Sequence, residues 1–385
     1  MRPALSLDSV LRAAAGPART EQLMARPPAW VDALGLLISS ASEEGGLSDE
    51  GTTAFVDKVV RITGERLRAD HHFGAHPEIG ARPLAVRVAV AGLARSGTTL
   101  LHRLLCCDPD VCFLPTWQAF NPVPSGPVGV PDSRRTETLA MIDGMRRTQP
   151  DAFRVHPLDA DAPEEEVFLL QHSFASMLFA MPCPLPSYMA WLSGTAHHAA
   201  YRYAFDLLRL NEWAGGDRSG RPRVMKSPQF VLDLQVIIDL VADAVIVQTH
   251  RDPVDLVGSY CSVYAGSRRR GVSHVDLHAL GAERLEHLAR MAANAAAARA
   301  VAPDPSRFVD IDYDDLLTAP LDAVAAIYER VGEPLGRPAR EAMEAWLQAN
   351  PQGAAGRHDY RLSDYGLDRA AIEARFAAHA DSERR

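Results

Sequence analysis

VRVAVAGLARSGTTLLHRLL, residues 86–105, is the stretch whose reading decides the fold. A valine-rich run ends at Gly92 and a tight loop follows. Leu100, Leu101, Leu104 and Leu105 then recur at helical spacing. The order is strand, loop, helix. Gly92 and Gly97 frame the loop and Thr98 and Thr99 follow, which is Walker-type spacing. Such loops hold phosphate because successive backbone N–H groups point inward at a helix N-terminus, where the dipole also favours negative charge. Glycines let the backbone come close to the anion. A Walker A loop carries Lys directly after its second glycine. Here that position is Thr98, and the cation of the loop is Arg95. The loop reads as a holder of a phosphorylated ligand rather than a cleaver of the ATP γ-phosphate.

A second segment, PRVMKSPQFVLDLQVIIDLVADAVIVQTHRDPVDLVGSYCS at 222–262, sharpens this. Two buried-type strands are expected at Arg223–Lys226 and Ala244–Thr249, with a helical pattern from Val231 to Leu240 between them. The second strand ends in His250-Arg251-Asp252-Pro253 and runs into a helix that carries Ser259 about two turns on. With the RSGTT loop, these segments resemble the sulfotransferases that use 3′-phosphoadenosine-5′-phosphosulfate (PAPS). The nearest likeness is the bacterial branch marked by RSGTTLLH, LKSP and THRDP. The resemblance runs from about Leu5 to the C-terminus. It takes in the APEEEVFLL segment around Glu165 and the HDYRLSDYGL segment around Tyr360.

Composition bounds the answer. A chain of 385 residues buries a large core, and 47% hydrophobic with 23% charged residues is ordinary for a globular protein. A net charge of −9 argues against nucleic acid as a partner. Of 40 basic residues only Lys58 and Lys226 are lysine, so a lysine inside a motif is pointed. Lysine is a compact three-proton donor, whereas arginine is a fixed fork. Five cysteines without CxxC or zinc spacing suggest a reduced, cytoplasmic protein. The apolar stretch Val167–Leu192 holds Gln171, His172 and three prolines, so it does not read as a membrane span.

Residues 1–80 read as a helical segment packed on a main α/β domain at 81–385. Strands are expected near 86–92, 110–114, 223–226, 244–249 and 307–311, alternating with helices. That pattern implies a P-loop-type, mostly parallel sheet covered on both faces, with ligands at the C-terminal strand ends. Arg95, Lys226 and Arg251 all fall there. Residues 121–135 read as a loop near the acceptor, and 292–302 as a structural helix.

Sulfuryl transfer, like phosphoryl transfer, is mostly positioning and charge stabilisation. The resemblance implies that Arg95 and Lys226 meet the charge growing on the leaving phosphate. Ser96, Gly97, Thr98 and Thr99 would cradle the 5′-phosphate, and no metal is required. Arg251 and Ser259 match the pair that holds the 3′-phosphate in relatives, while the plainer reading of Arg251 is an ion pair with Asp252 or Asp255. Arg357 resembles the late basic segment that closes over the nucleotide. Relatives often carry a histidine four residues after the motif lysine, and Trp-Glu after the first helix. This chain has Phe230 and Gln118 there. Glu164, Glu165, Glu166 and His172 remain as proton acceptors. The seven-residue spacing of Glu165 and His172 would set both on one helix face. Plainer readings are a helix-start carboxylate run and a core histidine. The apolar residues Phe168, Phe174, Phe179, Tyr188 and Trp191 suit a greasy acceptor pocket or simply core. The expected activity is transfer from PAPS, with 3′-phosphoadenosine 5′-phosphate (PAP) as product, to a small hydroxylated acceptor. A P-loop kinase or hydrolase, which would need Lys after Gly97 and a strand-end Asp, and a non-catalytic nucleotide-binding relative are the alternatives.

Overall fold

The computed structural model describes residues 5–124, 132–148, 158–215, 220–351 and 360–382. Four strands form one sheet: β1 Val86–Val90, β2 Arg223–Lys226, β3 Val245–His250 and β4 Phe308–Asp312. The order is β2-β1-β3-β4 and every pairing is parallel. Parallel neighbours require crossover connections, and helices fill them. β1 sits between β2 and β3, so the chain winds one way from β1 and then the other. The C-terminal end of β1 is therefore the point where strand order reverses, the place where open parallel sheets hold ligands.

Side chains alternate across β1. Val88 and Val90 join Leu101, Leu104 and Leu105 of the following helix in one cluster, with Val224, Val247 and Ile311. Ala89 and Ala91 face a larger cluster on the other side, with Met225, Ile246, Phe174, Phe230 and Val257. A strand buried on both faces reads as a continuous apolar run, which is why the VRVAVA stretch was legible. The larger cluster also takes in Leu34 and Leu37 of the helix Ala29–Glu43 and Val59 and Ile62 of the helix Asp49–Ala75.

Three expectations need correction. The strand expected near 110–114 is a single bridge, Cys112 to Arg223, because the groups that would extend the ladder bond elsewhere: the Leu114 carbonyl accepts from the Glu164 N–H, and the Lys226 N–H donates to the Glu166 carboxylate. The helix expected from Val231 to Leu240 is two pieces, Gln229–Leu232 and Leu234–Leu240, broken where Asp233 leaves the helical region at φ −110° and ψ 34°. The apolar segment after Glu166 is not one helix. Val167–Leu170 is followed by a 3₁₀ turn at Gln171–Ser173 that ends on Phe174 in the left-handed region. Glu165 and His172 therefore do not share a helix face. The expected loop at 121–135 falls partly outside the described residues. Residues 292–302 lie largely within the long helix Leu277–Ala300, as expected for a structural element. Among the described residues no helix is long and apolar enough to cross a membrane.

Candidate active site

The glycine loop joins β1 to the helix Thr98–Leu105. A Cβ at Gly92 would lie 2.0 Å from Thr249 Oγ1 and 2.6 Å from Thr98 Cγ2, so only glycine lets the loop close on β3. Gly97 caps the helix at φ +87°. Arg95 also has a positive φ, 74°, which costs a non-glycine residue about 1–3 kcal/mol and commonly marks a working loop. Ser96 is fully buried, and both its N–H (3.2 Å) and its hydroxyl (2.5 Å) donate to the Leu93 carbonyl. Thr249 must then donate to Ser96 Oγ, at 2.5 Å. Ser96 thus braces the loop from inside, and Gly97, Thr98 and Thr99 follow it at the start of the helix. Their N–H groups lie at the first helical turn, where intrahelical acceptors are lacking.

The loop is tied to the end of β3 and the helix Pro253–Gly271. Arg95 Nε donates to Ser259 Oγ at 2.9 Å, and Arg251 Nη1 donates to the Arg95 carbonyl at 2.9 Å. The three residues expected to read phosphate are thereby brought together. The Arg251 guanidinium lies 4.3 Å from the ring centre of Tyr313, and its buried Nε has no partner. Its distance to Asp255 is 3.9 Å, at the limit of an ion pair. Asp252 instead caps the helix through the Val254 N–H, so of the two plainer partners of Arg251 it is Asp255 that lies within reach. Burial first, and then the like charge of Arg251, lower the pKa of Arg95. Two guanidiniums held together in this way favour an anion between them. Tyr313, just past the end of β4, and Tyr360, whose hydroxyl donates to the Asp255 carbonyl at 2.9 Å, complete the surround. Sequence reasoning gave neither a role, although Tyr313 lies two residues past the strand expected near 307–311. Arg357 lies outside the described residues.

Lys226 ends β2 and is 3% exposed. Its Nζ pairs with Glu165 and donates to Thr99 Oγ1 at 3.3 Å. The lysine backbone is held by a reciprocal clamp. Its N–H donates to Glu166 Oε2 at 2.8 Å, and the Glu166 N–H donates to its carbonyl at 3.3 Å. Glu164 accepts the Glu165 N–H at 3.0 Å. Burial pushes Glu164 up to about 7, helped by the charge of Glu165, and pushes Glu166 up to about 8. The three carboxyls are therefore not equivalent. Glu164 and Glu166 are buried supports, and Glu165 is the one set on the lysine.

His172 is placed elsewhere. Its Nε2 lies 2.8 Å from Glu65 and its Nδ1 3.3 Å from the Leu169 carbonyl. Arg66 donates to its carbonyl at 3.1 Å. Both ring nitrogens are engaged: Nε2 ties the helix Asp49–Ala75 to the segment behind Glu165, and Nδ1 stays within that segment. Phe230, where relatives carry histidine, is fully buried and packs 6.0 Å from Tyr201. Phe174, Phe179 and Tyr188 are core, in ring contact with one another. Phe168 remains partly buried against Phe120, one turn from Glu165.

The sulfotransferase family model matches residues 87–337. No curated protein matches the chain. Among solved structures, the sulfotransferase STF1 from Mycobacterium tuberculosis H37Rv is similar at 30% identity over 91% of this chain and 92% of that one, with a TM-score of 0.78. The sulfotransferase STF9 from Mycobacterium avium shares the fold at a TM-score of 0.84, with 24% identity over 98% and 96% of the two chains. The matched region contains Arg95, Glu165, Lys226, Arg251 and Ser259, and the chain belongs to the sulfotransferase family.

Proposed function

We propose that this sulfotransferase moves a sulfuryl group from PAPS to the hydroxyl of a small, apolar or aromatic acceptor. The observation that carries the reading is the joining of Arg95, Arg251 and Ser259 into one anion-facing cluster at the sheet edge that also presents Lys226, Thr99 and Glu165. The residues present fit a nucleotide with two anionic ends. Arg251, with its unpartnered buried Nε, and Ser259 would hold the 3′-phosphate. Arg95 and the N–H groups of Gly97, Thr98 and Thr99 would hold the 5′-phosphate. Arg357 is proposed to close over the nucleotide.

When bound, PAPS supplies the sulfuryl group. Lys226 Nζ meets the negative charge that grows on the departing phosphate, and Arg95 shares it. Glu165 accepts the acceptor's proton as its hydroxyl attacks. The existing Lys226–Glu165 pair sets acid and base side by side before the acceptor arrives, and Thr99 steadies the ammonium. The half-open Phe120–Phe168 pair beside Glu165 offers an apolar surface to the acceptor.

Incubation with PAPS and a panel of alcohols and phenols, read by mass spectrometry, tests the assignment. Sulfated product from PAPS, and no phosphorylated product from ATP, is expected. Transfer from ATP would refute the assignment, and so would PAP binding without turnover on any acceptor.

A further inference from the structure

The helix Asp49–Ala75 carries Lys58, one of the chain's two lysines and one that the reaction does not use. Its amine lies 4.9 Å from the ring centre of Phe179. Lys58 is half-buried and keeps accessible surface, whereas Phe179 is fully buried. Arg61 stands one turn further along, at the i, i+3 spacing that makes helical neighbours. Its Nη1 donates to Glu65 Oε1 at 2.6 Å and to the Phe120 carbonyl at 3.4 Å. Phe120 in turn packs on Phe168, one turn from Glu165. The Phe179 segment is tied to the same short helix. Ser176 Oγ donates to the Val167 carbonyl at 2.9 Å, and the Phe179 N–H donates to the Ser176 carbonyl at 3.3 Å. Lys58 and Arg61 thus border the apolar surface that starts beside Glu165.

The charges along this border do not balance. Arg61 is matched by Glu65. Among the described residues Lys58 makes no hydrogen bond and no ion pair, and the charged groups that act on it are Arg61, which repels it, and Cys183. Burial pushes the Cys183 thiol up to about 12, so it is neutral and offers no counter-charge. Asp57 is exposed and next in sequence, and successive helical residues do not face each other. Burial, and then Arg61, bring the Lys58 amine down to about 8, which leaves it mostly protonated at neutral pH. A cation drawn partly out of water without a matching anion is costly. Packing of the stem alone would be served by an apolar side chain. Apart from Lys226, every other Lys or Arg position in the chain holds arginine. A compact ammonium resting on a ring is free to turn toward a ligand in a way that a fork is not.

We propose that Lys58, flanked by Arg61, binds a carboxylate at the far end of the acceptor, so that the substrate class is a hydroxylated apolar acid. This rests on the reading of the Phe120–Phe168 surface as the bed of the acceptor. A monoanion is what the balance asks for. One carboxylate cancels the one unmatched cation, whereas a dianion would leave a negative surplus. Its two oxygens would accept from Lys58 Nζ and from a guanidinium N–H of Arg61. The apolar middle of the molecule would lie on Phe120 and Phe168, with its hydroxyl at Glu165. Lys58 then decides which acceptor binds and takes no part in the transfer itself.

The test uses the full chain with lysine carbon-13 labelled at Cε, which gives one signal each for Lys58 and Lys226. Lys58→Met keeps the packing of the stem, removes the unmatched charge and identifies the Lys58 signal. The probes are phenylacetate, phenylpropanoate and phenylbutanoate, each compared with its carboxamide, and none needs the sulfuryl donor. At least one acid should bind about ten- to a hundredfold tighter than its amide, the scale of a charge-assisted contact. The same acid should shift the Lys58 signal in the wild type and raise the pKa of that amine. In Lys58→Met, acid and amide should bind alike. Equal binding of every acid and its amide in the wild type would overturn the proposal. So would an unmoved Lys58 signal, or an acid preference that survives Lys58→Met. Transfer is read separately, from PAPS to hydroxyphenylacetate and its longer homologues. No transfer with the Lys58 response intact would refute the assigned activity while upholding the carboxylate site.

Discussion

The anion-facing half of the site and its carboxylate half are held in different ways. Arg95, Arg251 and Ser259 are fixed by short links among strand ends: one hydrogen bond to a carbonyl, one to a hydroxyl and one stacked ring. Their surroundings are cationic and partly open. Glu164, Glu165 and Glu166 are fixed by burial against Lys226, and two of them are pushed up to about 7 and about 8. The first half is preorganised by backbone turns, the second by desolvation. Substitutions in the first should change what binds, and those in the second should change turnover, stability and pH response.

The largest expected effect is at Glu165. Glu165→Gln should lower kcat by about 10²–10⁴-fold on an aliphatic alcohol, the range for loss of a general base, with PAP affinity little changed. A near-normal rate would assign the proton to solvent or substrate. Next is Lys226→Ala, expected to cost on the order of a hundredfold in kcat while nucleotide affinity stays within a few-fold. Lys226→Arg should recover only part, since a fork does not reproduce a point donor. A loss seen mainly in affinity would move the lysine into the anion-facing half.

His172→Ala sharpens the contrast. It leaves Glu65 buried with only Arg61, so denaturant unfolding should show a loss of about 2–3 kcal/mol, below the range for a wholly stranded charge. Turnover per folded molecule should be largely kept. A base-like loss of 10²-fold at full stability would restore His172 to the chemistry.

The smallest effect is a pH dependence. The pKa of Glu166 is raised in the folded state by burial, so the folded chain keeps a proton that the unfolded chain has released. Stability from this group is present below its ordinary value of 4.5 and is lost as pH rises through about 8. Glu166→Gln keeps an acceptor for the Lys226 N–H and does not ionise. Its stability relative to wild type should rise by about 1–3 kcal/mol between pH 5 and 9. A flat difference would show that Glu166 does not titrate in that window.

What could be read from the sequence divides along the same line. The loop from Gly92 to Thr99 and the end of β3 are contiguous stretches whose local geometry their own residues dictate, so strand, turn and cation position were legible. The carboxylate run was legible as a run but not by role. Which glutamate faces Lys226 depends on the path of 164–166 against β2, sixty residues away in sequence for the Glu166 contact. His172 misled because seven-residue spacing assumes a continuous helix, and Phe174 turns the chain out of it at φ 52°. Its true partner, Glu65, lies 107 residues earlier, a distance over which periodicity carries no information. The motif that contains Ser96 did not reveal that its hydroxyl also donates to the Leu93 carbonyl, a bond set by the local turn.

The most direct test of the central claim is a calorimetric cycle. PAP and adenosine 5′-phosphate are titrated into the wild type and into Arg251→Ala. If Arg251 reads the 3′-phosphate, the substitution should weaken PAP binding by about 2–4 kcal/mol, the scale of a lost charge-assisted contact in a buried site, and leave adenosine 5′-phosphate nearly unchanged. Equal losses for both ligands, or no preference for PAP in the wild type, would contradict the assignment of this sheet edge to a 3′-phosphorylated nucleotide.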